Sequence, residues 1–310
     1  MKVSVVISVY NNARYLGEAV DSILGQEPLD DGDLECIVID DGSTDGTARL
    51  LNRYDDPRLT VHRLPVNCGI GIARNVGMRC ARGEYIAVMD SDDIAFPRRL
   101  AAQARFLDAN PQVHILGTRV VRVRETPDNV INTPPHPLDD ATIKARLLLL
   151  NGTALVHPTC MFRKQFLDQH RLLYPSRNMD EDHELFAHCV AAGARFHALE
   201  DVLLYKRRHD GNITTTAAAT KDAGKIPLRR TLLSMYFPQL TTLEAHSLAL
   251  LFQQGGALTL DQAKAGLQAG TKALSETRSF YGESRPQLAD ILRACLGAVS
   301  NAVKSFQARP

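Results

Sequence analysis

In the stretch YIAVMDSDDIAF, residues 85–96, three aspartates, Asp90, Asp92 and Asp93, surround Ser91 directly behind an apolar run. Two carboxylates two residues apart can present oxygens to one hard divalent cation, Mg²⁺ or Mn²⁺, which keeps further positions for phosphate oxygens. The same residues also suit a helix N-terminus, where aspartates cap free amides and meet the positive end of the helix dipole. Two further acidic groups carry the same ambiguity. IDDGSTD holds Asp40 and Asp41 before a helix, and MDEDHEL holds Glu181 and Asp182 ahead of an apolar helical run. Among ten histidines, His209 in YKRRHDGNIT and His157 in HPTCMFRK lie close to charged or turn residues. Imidazole can ligate Mn²⁺, although carboxylate oxygen suits that ion better.

The elements around these groups follow a repeating order. Val3 to Val9 reads as a buried strand, and apolar residues at 16, 19, 20, 23 and 24 give the next segment helical spacing. ECIVID (35–40), RLTVHRL (58–64) and EYIAVMD (84–90) read as further buried strands. The first two of these are followed by helices, one with Ser43 or Thr44 as cap and one stopping at Gly83. Strands buried on both faces and alternating with helices predict an open, mostly parallel α/β sheet. In such sheets ligands bind at the carboxyl ends of the strands. Those ends are Tyr10 with Asn11, Asp40 with Asp41, and Asp90 with Asp92. A helix follows Pro97, a strand spans VHILGTRVVRVRE, and a proline-rich loop covers 126–140. A helix near 139–149, the helix of DEDHEL stopping at Gly193 and a last strand ending in YKRRHDGNIT complete this part.

The segments VSVVISVYNNARYLGEAVDSILGQ, CIVIDDGSTDGT, NCGIGIARNVGMRCARGEYIAVMDSDDI, HPTCMFRK and DEDHEL resemble, in composition and order, those of family 2 glycosyltransferases of the GT-A fold. The likeness runs from about residue 2 to 210. It implies an inverting enzyme that moves a sugar from a nucleoside-diphosphate sugar, UDP first among carriers, to a hydroxyl of a glycan, lipid-linked or protein-linked acceptor. By the same resemblance Val9, Tyr10 and Asn11 form a wall of the nucleoside site. Asp41, with Asp40 beside it, accepts a hydrogen bond from the base, and Arg74 lies near the nucleotide. Asp90 with Ser91 faces the ribose, while Asp92 binds Mn²⁺ or Mg²⁺ with His209 as a second ligand. Asp182 is the general base with Glu181 as its neighbour. Asp93 is left to support Asp92 or to cap the next helix.

The family likeness divides the chain into a GT-A domain, 1–214, and a C-terminal helical region, 215–310. Within the domain, about 1–120 would bind the nucleotide sugar and about 121–214 the acceptor. Composition excludes other partners. Thirty-six basic against 35 acidic side chains and 6% aromatics advertise no nucleic-acid surface. No apolar run is long enough to span a bilayer, so a cytoplasmic protein is expected, with Lys206-Arg207-Arg208 available for diphosphate or for peripheral contact with the inner face of the membrane. Six scattered cysteines without a CxxC pair read as reduced core or helix residues. Arg74 occupies the third glycine position of a dinucleotide fingerprint, which argues against a dehydrogenase. The segment after the first strand lacks the glycine-rich phosphate loop of a nucleotidyltransferase. A catalytically silent nucleotide-sugar-binding module remains as the non-enzymatic alternative.

Overall fold

The computed structural model describes residues 1–30, 32–150, 154–176, 180–212, 224–253 and 258–307. The chain divides into two compact units, one of residues 1–138 and 155–210, the other of 139–154 and 211–310. The domain boundary expected at 214/215 falls within residues 213–223, outside the described residues.

The first unit is built on a sheet whose strand order is β3-β2-β1-β4-β8-β6-β9-β5, with β7 paired to β6. Its first half is the parallel layer: β1 (Val3–Val9), β2 (Leu34–Asp40), β3 (Leu59–Arg63) and β4 (Tyr85–Asp90). The β-branched and aliphatic runs of β1, β2 and β4 are buried on both faces, as central parallel strands require. Strand β3 departs from this. It is the sheet edge, paired only to β2, and Val61 is 40% exposed.

Helix α1 (Ala13–Leu24) buries Tyr15, Leu16, Ala19, Val20 and Ile23 along one stripe. Helix α2 (Thr47–Leu51) starts later than Ser43 and Thr44 would place it. Gly46 is its N-cap and no side chain caps it, because Ser43 and Thr44 bond to Asn11 instead. Helix α3 (Ile70–Cys80) packs on β1 and β2 through Gly77, where a Cβ would lie 2.4 Å from Val6 Cγ1.

The second half of the sheet is mixed. β5 (Ile94–Ala95) and α4 (Arg99–Ala109) lead to β6 (Ile115–Arg124) and to β7 (Val130–Asn132), a short strand inside the expected proline-rich loop. β8 (Met161–Arg163) runs antiparallel to both β4 and β6. After it come α6 (Lys164–Gln169) and α7 (Glu181–Ala191); β9 (Phe196–Arg208) then pairs parallel with β6 and antiparallel with β5. Register is what positions the site. Val9 pairs with Asp40 and Ser8 with Asp90, so β1, β2 and β4 end on one line. Ile94 pairs with Tyr205, which delivers the end of β9 alongside Asp92 and Asp93.

The second unit is helical, as the composition beyond residue 215 predicts. It contains α5 (Asp140–Leu147), α8 (Ile226–Tyr236), α9 (Thr242–Leu251), α10 (Leu260–Leu274) and α11 (Arg285–Gln307). Thr241 with Glu244 and Thr259 with Gln262 form capping boxes that satisfy the first amides of α9 and α10. Gly266 and Gly270 let α10 close on Leu251 and Leu296, where a Cβ would lie 2.5 and 2.4 Å away. Among the described residues no helix is long and apolar enough to cross a membrane.

Replacing Gly77 by Ala gains helix propensity of about 1 kcal/mol but drives a methyl into the stiff, buried Val6. Overpacking costs about 1–3 kcal/mol, so a net loss of up to about 2 kcal/mol is expected, read as a lower urea midpoint.

Candidate functional site

The ends of β1, β2 and β4 are tied to one another by backbone-directed hydrogen bonds. Asn11, at φ 50°, accepts the amide N–H groups of Thr44 and Asp45 on its Oδ1, and its own N–H donates to Ser43 Oγ. Asn12 Nδ2 donates to Ser91 Oγ at 2.9 Å. Val9 is buried and its carbonyl accepts the Asp41 N–H, whereas Tyr10 is 49% exposed.

Asp40 and Asp41 are both buried. Asp40 Oδ1 accepts the Ser43 N–H, while its enclosed Oδ2 has no hydrogen-bond partner and lies 3.5 Å from Arg63 Nε. Asp41 accepts the N–H groups of Cys68 and Gly69, one on each oxygen, and so fixes the loop before α3. Gly42, at φ 72°, admits that loop; a Cβ there would lie 2.6 Å from the Val66 carbonyl carbon.

The acidic cluster is not a helix cap. The strand β5 follows it, and α4 begins beyond Arg98 with no side-chain cap. Asp90, Asp92 and Asp93 bring one carboxylate oxygen each to within 4.8 Å of one another. Their environments differ. Asp90 Oδ1 pairs with Arg74 at 2.9 Å and Oδ2 with Lys206 at 3.2 Å. Burial opposes its ionisation, but Lys206 and Arg74 outweigh burial and draw its carboxyl down to about 2. Asp93 is withdrawn into the core, where it accepts the Arg207 N–H and lies 3.5 Å from Lys206. Burial, reinforced by Asp92 and Asp90, pushes it up to about 8 despite Lys206. Asp92 Oδ2 meets His209 Nε2 at 2.9 Å, and the His209 ring packs on Tyr15 with centroids 4.5 Å apart. Asp92 with His209 sets a hard oxygen beside an imidazole nitrogen; the carboxylate fits Mn²⁺ or Mg²⁺, and the imidazole fits Mn²⁺ better than Mg²⁺.

Arg74 is buried. It reaches Glu181 Oε1 at 2.5 Å as well as Asp90. Burial works against its charge, and the two carboxylates more than restore it. The Tyr174 ring lies 5.5 Å from the guanidinium and is held by Asn75, whose amide bonds both the Tyr174 N–H and C=O. Tyr174 Oη in turn meets His157 Nε2 at 2.8 Å. Burial and then Arg74 lower His157 to about 3, leaving a neutral imidazole.

Helix α7 opens with Asp180 at φ 58° and carries Glu181 and Asp182 in its first turn. Burial raises Glu181 against the pull of Arg74. For Asp182 burial is outweighed by His183, whose N–H and ring Nδ1 both approach Asp182 Oδ1, so this carboxyl is held well below the usual range. Met179 of the MDEDHEL segment lies outside the described residues.

Thus Glu181, Arg74, Asp90, Lys206 and Asp93 form one chain of ion pairs and Asp92 with His209 a second; the two adjoin where the three aspartates approach within 4.8 Å, while Asp40 and Asp41 form a separate pair at the end of β2. Of the basic run, Lys206 faces the acidic cluster. Arg207 turns the other way, onto Glu18 Oε2 at 2.6 Å and the Tyr15 ring at 4.7 Å, rather than outward to a lipid surface. Tyr15, Asn75 and Tyr174 gave no chemical signal in the sequence, since an apolar helix stripe and a loop tyrosine read as packing.

Residues 4–171 match the sequence model of the family described as glycosyl transferase family 2. EpsE of Bacillus subtilis, named as a glycosyltransferase, is 31% identical over 220 residues, 68% of this chain and 74% of that protein. The succinoglycan biosynthesis protein ExoO of Rhizobium meliloti is 32% identical over 202 residues, covering 62% and 57%. In fold, the chain is similar to Staphylococcus aureus TarS 1–349 in complex with UDP-GlcNAc, with a TM-score of 0.64 at 20% identity, covering 99% of this chain and 92% of that one. It is also similar to a mannosyltransferase from Pyrobaculum calidifontis in complex with GDP-Man and Mn²⁺, with a TM-score of 0.52 at 21% identity, covering 99% and 78%.

Arg74→Gln leaves Asp90 and Glu181 without their shared cation and is expected to cost about 3–5 kcal/mol in urea unfolding. A second expectation concerns acid. The folded His157 titrates near 3 and the unfolded one near 6.5, so the unfolded chain binds more protons between those values. Its contribution is present above pH 6.5 and is lost as pH falls towards 3, by up to about 1.4 kcal/mol per pH unit. His157→Gln should flatten the stability profile between pH 6.5 and 4, measured by urea midpoints.

Proposed function

The chain belongs to glycosyl transferase family 2, and on that premise we propose that it transfers a sugar from a UDP-sugar to an acceptor hydroxyl with inversion at the anomeric carbon. The observation that carries this reading is the Arg74 bridge. It links the carboxylate at the end of β4 to the carboxylate beside Asp182, so the donor end of the sheet and the first turn of α7 adjoin.

Tyr10 offers an exposed ring to the nucleobase, and Asp40 and Asp41 offer acceptor oxygens to its imide N–H. Asp41 already holds two amides on its oxygens, so it accepts the base through remaining lone pairs. Asp90 and Ser91 face the ribose, with Arg74 keeping Asp90 oriented. Asp92 and His209 would hold Mn²⁺ or Mg²⁺, which supplies charge neutralisation to the leaving diphosphate when bound. Asp182 is ionised at neutral pH and takes the proton of the acceptor hydroxyl; His183 fixes its orientation. Glu181 holds Arg74 rather than a proton of the substrate. Relatives named for succinoglycan biosynthesis support a role in polysaccharide synthesis. Residues 1–214 would form the transferase domain and 215–310 a helical appendage.

Hydrolysis and binding of UDP-, GDP- and dTDP-sugars with Mn²⁺ or Mg²⁺ test this. Asp92→Asn should lose metal-dependent UDP binding at least tenfold. Asp182→Asn should bind the donor within about twofold of wild type and lose at least a hundredfold in turnover, within the range for removing a general base. Full turnover in either variant, or in excess EDTA, would defeat the corresponding assignment. Absence of any nucleotide-sugar binding would favour a different ligand altogether.

A further inference from the structure

The β6–β9 pair ends in five cations that are not neutralised alike. Arg122 pairs with Lys206 and Arg124 with Arg208. Alternate residues of a strand share a face, and residues paired across parallel strands point the same way. Arg122, Arg124, Lys206 and Arg208 therefore lie on one face of the sheet, while Arg207 points to the other. Lys206 is balanced by Asp90 and Asp93. Among the described residues, Arg122, Arg124 and Arg208 have no ion-pair partner, and of these Arg124 is exposed. Arg122 is half-buried, and its enclosed Nε has no hydrogen-bond acceptor. Burial first, and the Arg208 charge second, draw its guanidinium below the usual range. Two like charges diagonal to one another across the strand pair, one with an enclosed donor unused, are costly unless an anion completes them. The planar fork of arginine suits the oxygens of phosphate.

Position separates this pair from the donor. In the strand order β3-β2-β1-β4-β8-β6-β9-β5, the nucleoside wall proposed above lies at β1 and β2, whereas Arg122 lies on β6, beyond β8. Arg122 is still only one strand from Lys206, about 4.8 Å in strand spacing, and Lys206 touches the acidic cluster. We propose that Arg122 and Arg208 form an anion subsite beside the acidic cluster that takes a phosphate group of the acceptor. The acceptor role rests on the function proposed above; the anion subsite rests on the arginine pair alone.

Isothermal titration of the full chain, saturated with UDP and Mn²⁺, against geranyl diphosphate and glycerol 3-phosphate tests it. Wild type should bind one further anion, and Arg122→Gln/Arg208→Gln should weaken that binding at least tenfold, by a larger factor than it weakens UDP. Preference for geranyl diphosphate would identify a lipid diphosphate acceptor, and preference for glycerol 3-phosphate a phosphate-bearing glycan. Arg208→Gln alone, at a half-exposed position, should weaken the probe at least threefold with an unchanged melting temperature, which guards against misfolding of the double variant. The proposal is overturned if neither probe binds wild type, if the double variant binds as tightly, or if UDP affinity falls in step, which would assign the pair to the donor. If UDP does not bind at all, the proposed function fails. The same probes without nucleotide then decide the subsite, and retained affinity in the double variant overturns it.

Discussion

A single buried guanidinium sets the geometry on which the candidate site depends. Arg74 leaves helix α3 and binds Asp90 at the end of β4 and Glu181 at the start of α7, joining positions 16 and 107 residues away. A buried ion pair is weak evidence for stability, because desolvation cancels much of the attraction. Its value here is positional. With both carboxylates committed to one rigid fork, the first turn of α7 is held against the strand end. The acids around it are sorted by their surroundings: Lys206 and Arg74 keep Asp90 ionised, burial raises Glu181 against Arg74, and His183 keeps Asp182 ionised.

The strand ends are similarly prepared before any ligand arrives. Asn11 and Gly42 adopt positive φ so that side chains and amides of three loops can meet, and Asp41 closes the Cys68–Gly69 turn with both oxygens. Such an arrangement limits reorganisation when a ligand binds, which is how enclosed polar sites gain affinity without adding contacts.

Much of this was legible in the sequence where the signal is local. The apolar runs of β1, β2 and β4 and the stripe of α1 follow directly from their residue patterns, and the acidic groups do fall at strand ends. What was not legible depends on partners distant in the chain. Arg74 was expected near the nucleotide, but its bridging of two carboxylates was not legible because both are supplied by other elements. Ser43 and Thr44 read as helix caps because Asn11, 32 and 33 positions away, competes for them and wins. The lone Asp-Ser-Asp-Asp pattern could not separate cap from site; the two-residue strand β5 does so by intervening before α4. Strand β3 looked central and is an edge, since a five-residue alternation carries no information about its neighbours.

The antiparallel pairing of β5 with β9 has a consequence for how such a chain can vary. Alternation along β9 sends Lys206 to Asp90 and Asp93 and sends Arg207 to Glu18 and Tyr15. Adding or deleting one residue between Tyr205 and His209 would exchange those two faces and move His209 off Asp92. Substitutions there change one contact at a time, whereas a change of length scrambles all of them. Descendants of this chain are therefore free to drift in identity along the end of β9 but are locked in its length, and insertions should accumulate in the connections that lack this register.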